Sequence, residues 1–264
     1  NHNPRLISLP EENSKKRHGI YYHVSFYDLQ AANHITMLPN RPKLVRNELL
    51  EVLERGGDDF WIINSSNIKP HIYFLDMLSV LWRDGDVDIS AQQREYVKRY
   101  YTKNERDVGS VISSLKGYFD RAVSYGENED EHAGEQYVNY VPRMLITQFM
   151  KDRAVKSAEL EWAFPGAESL REQAACFEKI CDEGVISYGG YYSKCLNISD
   201  ILSGRAKRLY DDSLLLQAGV YALCFEGGRN YCAAVWTRLS RRIIWMRLYW
   251  QAGQGKNTLK QISF

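Results

Sequence analysis

The stretch Ser213 to Trp250, SLLLQAGVYALCFEGGRNYCAAVWTRLSRRIIWMRLYW, decides how the C-terminal part of this 264-residue chain is read. It holds three apolar runs, Ser213 to Glu226, Arg229 to Leu239 and Ile243 to Trp250, split by Gly227-Gly228 and by Ser240-Arg241-Arg242. A two-residue Gly-Gly connection between apolar runs is a hairpin signal, so the pattern predicts an antiparallel meander. The rival for its last run is a short basic amphipathic helix over Arg241 to Trp250.

The pleat of a strand sends alternate residues to opposite faces. Ile244, Met246, Leu248 and Trp250 then share a core face, leaving Trp245, Arg247 and Tyr249 on the other. The neighbouring strand adds Trp236 and Arg238 to that outer face, flanked by Arg241, Arg242 and Lys256. Charge points the same way. Residues Gly227 to Phe264 carry seven Lys/Arg and no Asp or Glu, whereas the preceding 226 residues hold 27 bases against 33 acids. Rings interleaved with cations could stack bases while the cations track phosphates, each stacked base contributing about 1–3 kcal/mol.

The expected function is therefore a binding protein for RNA, single-stranded DNA or another polyanion, with Trp236, Trp245 and Tyr249 stacking and Arg238, Arg241, Arg242, Arg247 and Lys256 on phosphates. Two other classes stay open. One is an enzyme, a Cys/His-dependent effector-type hydrolase or transferase, acting on an anionic substrate or a host protein. The other is a structural subunit of a viral or secreted assembly, whose basic end meets an acidic protein surface or forms a homo-oligomer.

Working back along the chain, the period is helical. Pro42 sits at a first-turn position, Leu44, Val45, Leu49, Leu50 and Leu53 recur at helical spacing, and Gly56-Gly57 ends the segment. Further helices are predicted from Pro70 to about Trp82, from a capping box at Ser90 and Gln93, over about Arg106 to Tyr125, over about Tyr137 to Lys156 with a kink or restart at Pro142, and over about Ser169 to Asp182. Glu127 to Glu135 reads as a solvated acidic loop, Ala163 to Glu168 as the best internal boundary, and Tyr188-Gly189-Gly190-Tyr191-Tyr192 as a turn between short strands. Ile20 to Phe26 alternates as a strand, and Trp61 to Ile63 is a short strand or turn. The expected fold class is α+β: a mainly helical body with an N-terminal strand over residues 1–164, and a helix plus the C-terminal antiparallel sheet over 165–264, unless the two form one continuous domain.

Motifs that would fix a reaction are absent. Gly253-Gln254-Gly255-Lys256-Asn257-Thr258 resembles the end of a phosphate loop, but Trp250 stands where the pattern needs Gly and Asn257 where it needs Ser or Thr. Asp84, Asp86, Asp88 and Glu95 match calcium-loop spacing with Ile89 at the obligate glycine, so the carboxylates read as partners of a helix N-terminus. His18, His23, His34, His71 and His132 show no paired metal spacing, and neither a metal nor a cofactor is expected. The five cysteines, Cys176, Cys181, Cys195, Cys224 and Cys232, form no disulfide framework and read as small buried hydrophobes in a reducing intracellular compartment, which could be that of a host cell. The longest uncharged run is 13 residues, too short to span a bilayer as a helix. The start, Asn-His-Asn-Pro, lacks both Met and an apolar signal region and reads as truncated or processed.

Overall fold

The computed structural model describes residues 16–25 and 31–233. In chain order the elements are β1 (Ile20–His23), α1 (Pro42–Glu54), β2 (Trp61–Asn64), α2 (Ile68–Asp84), α3 (Ile89–Tyr100), α4 (Glu105–Asp120), α5 (Glu135–Lys151), a 3-10 turn (Ala158–Leu160), α6 (Leu170–Ile201), α7 (Gly204–Tyr210), a π-helical turn (Asp211–Leu215) and α8 (Leu216–Ala233). Buried side chains from Tyr22 to Cys232 join in one core.

The two strands pair in parallel, Ile20 opposite Trp61 and His23 opposite Asn64, with α1 as the crossover that a parallel pair requires. The ladder continues past both ends, from Ile20 N to the Phe60 carbonyl and from Val24 N to the Asn64 carbonyl. Tyr22 faces the core beside Val45, Leu49 and Val52 of α1, while the opposite face exposes the register pair Tyr21 and Ile62. Helix α1 starts with Pro42 in its first turn and is followed by Gly56 at φ +78°, matching the sequence signals at both ends. Asp88, rather than Ser90, caps α3, its carboxylate accepting from Ser90 N and Ala91 N. Asp86 is paired with Arg46 at 2.6 Å and Asp84 with Arg83 at 2.7 Å, so the acids at calcium-loop spacing serve the local structure. Pro142 is accommodated inside α5. Within the segment Ala163 to Glu168, the expected internal boundary, Ala163, Phe164 and Ala167 are buried.

The expected C-terminal antiparallel meander is overturned as far as the described residues reach. Gly227-Gly228 lies inside α8, and Ser213 to Glu226 is helical throughout. The predicted turn at Gly189-Gly190 likewise lies inside α6, a helix of 32 residues and about 48 Å. The reason is a heptad stripe. In α6 the buried positions Leu170, Ala174, Phe177, Cys181, Gly184, Tyr188, Tyr191, Cys195 and Ile198 alternate spacings of four and three. In α8, Ala218, Tyr221, Phe225, Gly228 and Cys232 do the same.

These stripes seat the two helices antiparallel. A Cβ on Gly228 would stand 2.6 Å from Cys181 Sγ, one on Gly184 2.2 Å from the Phe225 ring, and one on Gly219 3.2 Å from the Tyr192 ring. Tyr188 stacks on Tyr221 with ring centroids 4.4 Å apart, and on Phe225 at 5.6 Å. Gly228 is therefore a contact point that lets two helix backbones approach, the role small residues play wherever helices pack closely. The residues of the meander from Ala234 onward, including the run Ile243 to Trp250, lie outside the described ones. Among the described residues no helix is long and apolar enough to cross a membrane.

Candidate functional site

In sheets of parallel strands, ligands bind beyond the carboxyl ends of the strands, where the following loops meet. Here those ends are His23 and Asn64, and the segments leaving them are tied to each other. His34 Nδ1 lies 2.9 Å from Ser66 Oγ, and Asn67 Nδ2 donates to the His34 carbonyl at 2.8 Å. Ser66 takes φ +54°, in the left-handed region that a residue with a Cβ seldom occupies, and its amide is held by Asn64 Oδ1 at 3.0 Å. Such residues persist only where the surroundings hold them, and they cluster at functional sites.

Beneath this surface sits Glu135, fully buried in the first turn of α5. Its carboxyl group accepts the backbone amides of His34 and Ile35, the latter at 3.0 Å, together with Thr36 Oγ1 and, at 3.3 Å, Asn33 Nδ2. Asn33 Nδ2 also reaches Tyr221 Oη at 2.7 Å, and Gln217 Oε1 accepts the Met37 amide at 2.7 Å, so α8 fastens the same loop from below. The approach is close because residue 134 is glycine: a Cβ there would stand 2.5 Å from the Ala31 carbonyl oxygen and 2.7 Å from Asn33 Oδ1. Glu135 organises the loop, and the acidic run ending at it is thus not wholly a solvated one.

His71, in the first turns of α2, is fully buried and donates from Nδ1 to the Asn67 carbonyl at 2.8 Å. That bond fixes the tautomer and leaves Nε2 as an acceptor without a partner among the described residues. Burial holds its pKa below the ordinary histidine value, assisted by His34 and opposed by the Asn67 bond and Glu135.

What this edge offers to solvent is a mixed polar and apolar surface. Ser66, Asn67 and Lys69 are exposed, His34 is half-exposed, and Ile35 and Ile68 are exposed beside them. Lys69 Nζ stands 3.9 Å from Asp212 in the π-helical turn, a type of turn frequent at functional sites. Side-chain amide, hydroxyl, imidazole, ammonium and carboxylate groups around apolar atoms suit a polyol whose rings have both hydroxyls and C–H faces. Among the described residues no cluster of three His, Cys, Asp or Glu side chains could hold a metal ion.

The residues proposed from sequence to bind nucleic acid, Trp236, Arg238, Arg241, Arg242, Trp245, Arg247, Tyr249 and Lys256, all lie outside the described residues. Of the cysteines, Cys181, Cys195 and Cys232 are buried, Cys224 is half-buried and Cys176 is exposed. Burial pushes the thiol of Cys224 up to about 11, that of Cys232 up to about 12, and that of Cys181 further, which suits packing and opposes nucleophilic use. Sequence reasoning passed over Ser66, Asn67, Lys69, Glu135 and Asp212. The legible signals were a glutamate at a helix start and Asn-Ser-Ser-Asn between a strand and the Pro70 helix.

Comparison with known families adds an independent finding. The model of Glycosyl hydrolase family 115 matches residues 2–125, a span of somewhat less than half the chain that includes β1 through α4 and both loops of this edge. No curated protein and no solved structure matches the chain. The similarity points to carbohydrate chemistry and overturns the expectation of a protein that binds RNA, single-stranded DNA or another polyanion. A one-sided basic block reports attraction to some anionic partner, including the acidic remainder of the same chain, and names none.

Proposed function

We propose that this chain takes part in glycoside hydrolysis, with the saccharide seated at the carboxyl ends of β1 and β2. The observation that carries this is the coincidence of two things: the family match over residues 2–125, and the polar edge that the same residues build beyond the strands. In this reading Ser66, Asn67 and Lys69 take sugar hydroxyls, and Ile35 and Ile68 take the apolar ring faces. Glu135 is a positioning residue that sets the loop carrying His34.

Glycoside cleavage generally uses two carboxyl groups, one to protonate the departing oxygen and one as base or nucleophile. Asp212, exposed and beside Lys69, is assigned one of those roles. Hydrolysis of a panel of aryl glycosides and plant and microbial polysaccharides, followed by reducing-end release, tests the proposal. The expected result is turnover of at least one substrate, lowered on the order of a hundredfold or more by Asp212→Asn with thermal stability unchanged. Absence of turnover across the panel would overturn the reading, and full activity in Asp212→Asn would remove that residue from it.

A further inference from the structure

A second polar concavity lies between α4 and α6. It is a half-open groove of about 680 Å³, a volume in the range that holds a small organic ligand. Its rim carries Lys116, Asp120 and Arg121 from the end of α4 and Lys194 from α6. Lys194 Nζ donates to Ser113 Oγ at 3.0 Å, which draws one ammonium group toward the groove. Gly117 and Gly190 also line it: a Cβ on Gly190 would meet nothing within 4 Å, whereas one on Gly117 would stand 3.1 Å from the Tyr191 ring.

None of the three cations has an ion-pair partner among the described residues. The carbonyl end of α4 attracts cations to its last turn and beyond, which bears on Arg121, at the C-cap, and not on Lys116. It does not account for Lys194, well inside α6. Three like charges around one cavity repel each other, and a polyvalent oxyanion relieves that repulsion through charge-assisted hydrogen bonds. Asp120 in the same rim would repel a bare anion, and it would accept hydrogen bonds from hydroxyl groups attached to one.

We propose that the α4–α6 groove binds the phosphate monoester of a polyol, such as a sugar phosphate. The phosphate sits among Lys116, Arg121 and Lys194, and the hydroxyls of the carrier reach Asp120. This site is independent of the glycosidase reading and uses none of its residues. Isothermal titration of the full chain with glucose 6-phosphate, inorganic phosphate and glucose tests it. The sugar phosphate is expected to saturate and to bind on the order of tenfold more tightly than inorganic phosphate, with glucose alone giving no heat from this groove.

The double change Lys116→Ala/Lys194→Ala, at two exposed positions and with its fold checked by circular dichroism, is expected to weaken that binding on the order of tenfold or more. Asp120→Asn is expected to narrow the preference for the ester over the free ion. Lack of saturation by the sugar phosphate up to about 10 mM, or unchanged affinity in the folded double variant, overturns the site. Equal affinity for inorganic phosphate and the ester overturns the assigned ligand class.

Discussion

Replacing Glu135 by Ala tests whether one buried carboxyl group organises the loop beyond β1. The change removes the acceptor of the His34 and Ile35 amides, of Thr36 Oγ1 and of Asn33 Nδ2. Thr36 can turn to Tyr221 Oη at 3.3 Å, and Asn33 keeps Tyr221 and Thr36, so the main loss falls on the two backbone amides. Each orphaned donor costs about 1–3 kcal/mol, at the low end here because both amides are only part-buried. An acid in the first turn of a helix adds about 0.3–1 kcal/mol. The expected destabilisation is about 3 kcal/mol for Glu135→Ala, and about half of that for Glu135→Gln, which keeps one acceptor oxygen. Urea unfolding gives the energies, and native-state amide exchange should show His34 and Ile35 losing protection before the rest of the core. A loss under about 1 kcal/mol in Glu135→Ala, with those two amides exchanging as in the parent, would refute the argument.

Other consequences follow from packing, protonation and thiol access. Gly228→Ala should destabilise by about 1–3 kcal/mol in a urea titration, because its methyl meets Cys181 across the α6–α8 seam, while Gly189→Ala, with open space around it, should stabilise by up to about 1 kcal/mol. His71 and His132 both have pKa values depressed by burial in the folded state, so the unfolded chain binds more protons than the folded one as pH falls. Stability should therefore be complete above the ordinary histidine value of about 6.5 and decline below it, and His71→Gln should flatten that decline in unfolding curves taken at several pH values. A thiol reagent at neutral pH should modify exposed Cys176 quickly and the buried Cys181, Cys195 and Cys232 only after denaturant is added, as mass spectrometry of the labelled chain would show.

Local signals were legible where one residue type answers one local need. Pro42 and the glycines after Glu54 bounded α1, and the alternation of Ile20 to His23 marked β1. The parallel partnership of β1 and β2 was not legible, since pairing depends on the crossover and not on either four-residue segment. The larger misreading, at α6 and α8, came from treating Gly-Gly as punctuation. The heptad spacing of Tyr188, Tyr191 and Cys195 against Ala218, Tyr221 and Phe225 was present in the sequence. Gly228 belongs to that stripe, because the facing Cys181 leaves no room for a side chain.

The candidate site was harder to see because its parts come from four separate places. Glu135 and Asp212 lie about a hundred or more residues beyond the His34 and Ser66 loops that they meet, directly or through Lys69. Glu135 also closes an acidic run whose composition reads as solvent-facing, whereas its side chain is fully buried. The aromatic and basic C-terminal block drew the functional reading away from this edge by its composition alone, which carries no information about which surface faces a ligand.

The most direct test is a nitrogen-15 NMR titration of the full chain with the oligosaccharides that it hydrolyses, or with the panel itself, recording which backbone amides move. Saturable shifts concentrated at His34 to Met37 and Ser66 to Lys69 are the predicted result, weakened when Asn67 is changed to Ala. Shifts absent from both segments, or produced by single-stranded RNA and not by any saccharide, would contradict the assignment of a carbohydrate site to the strand ends.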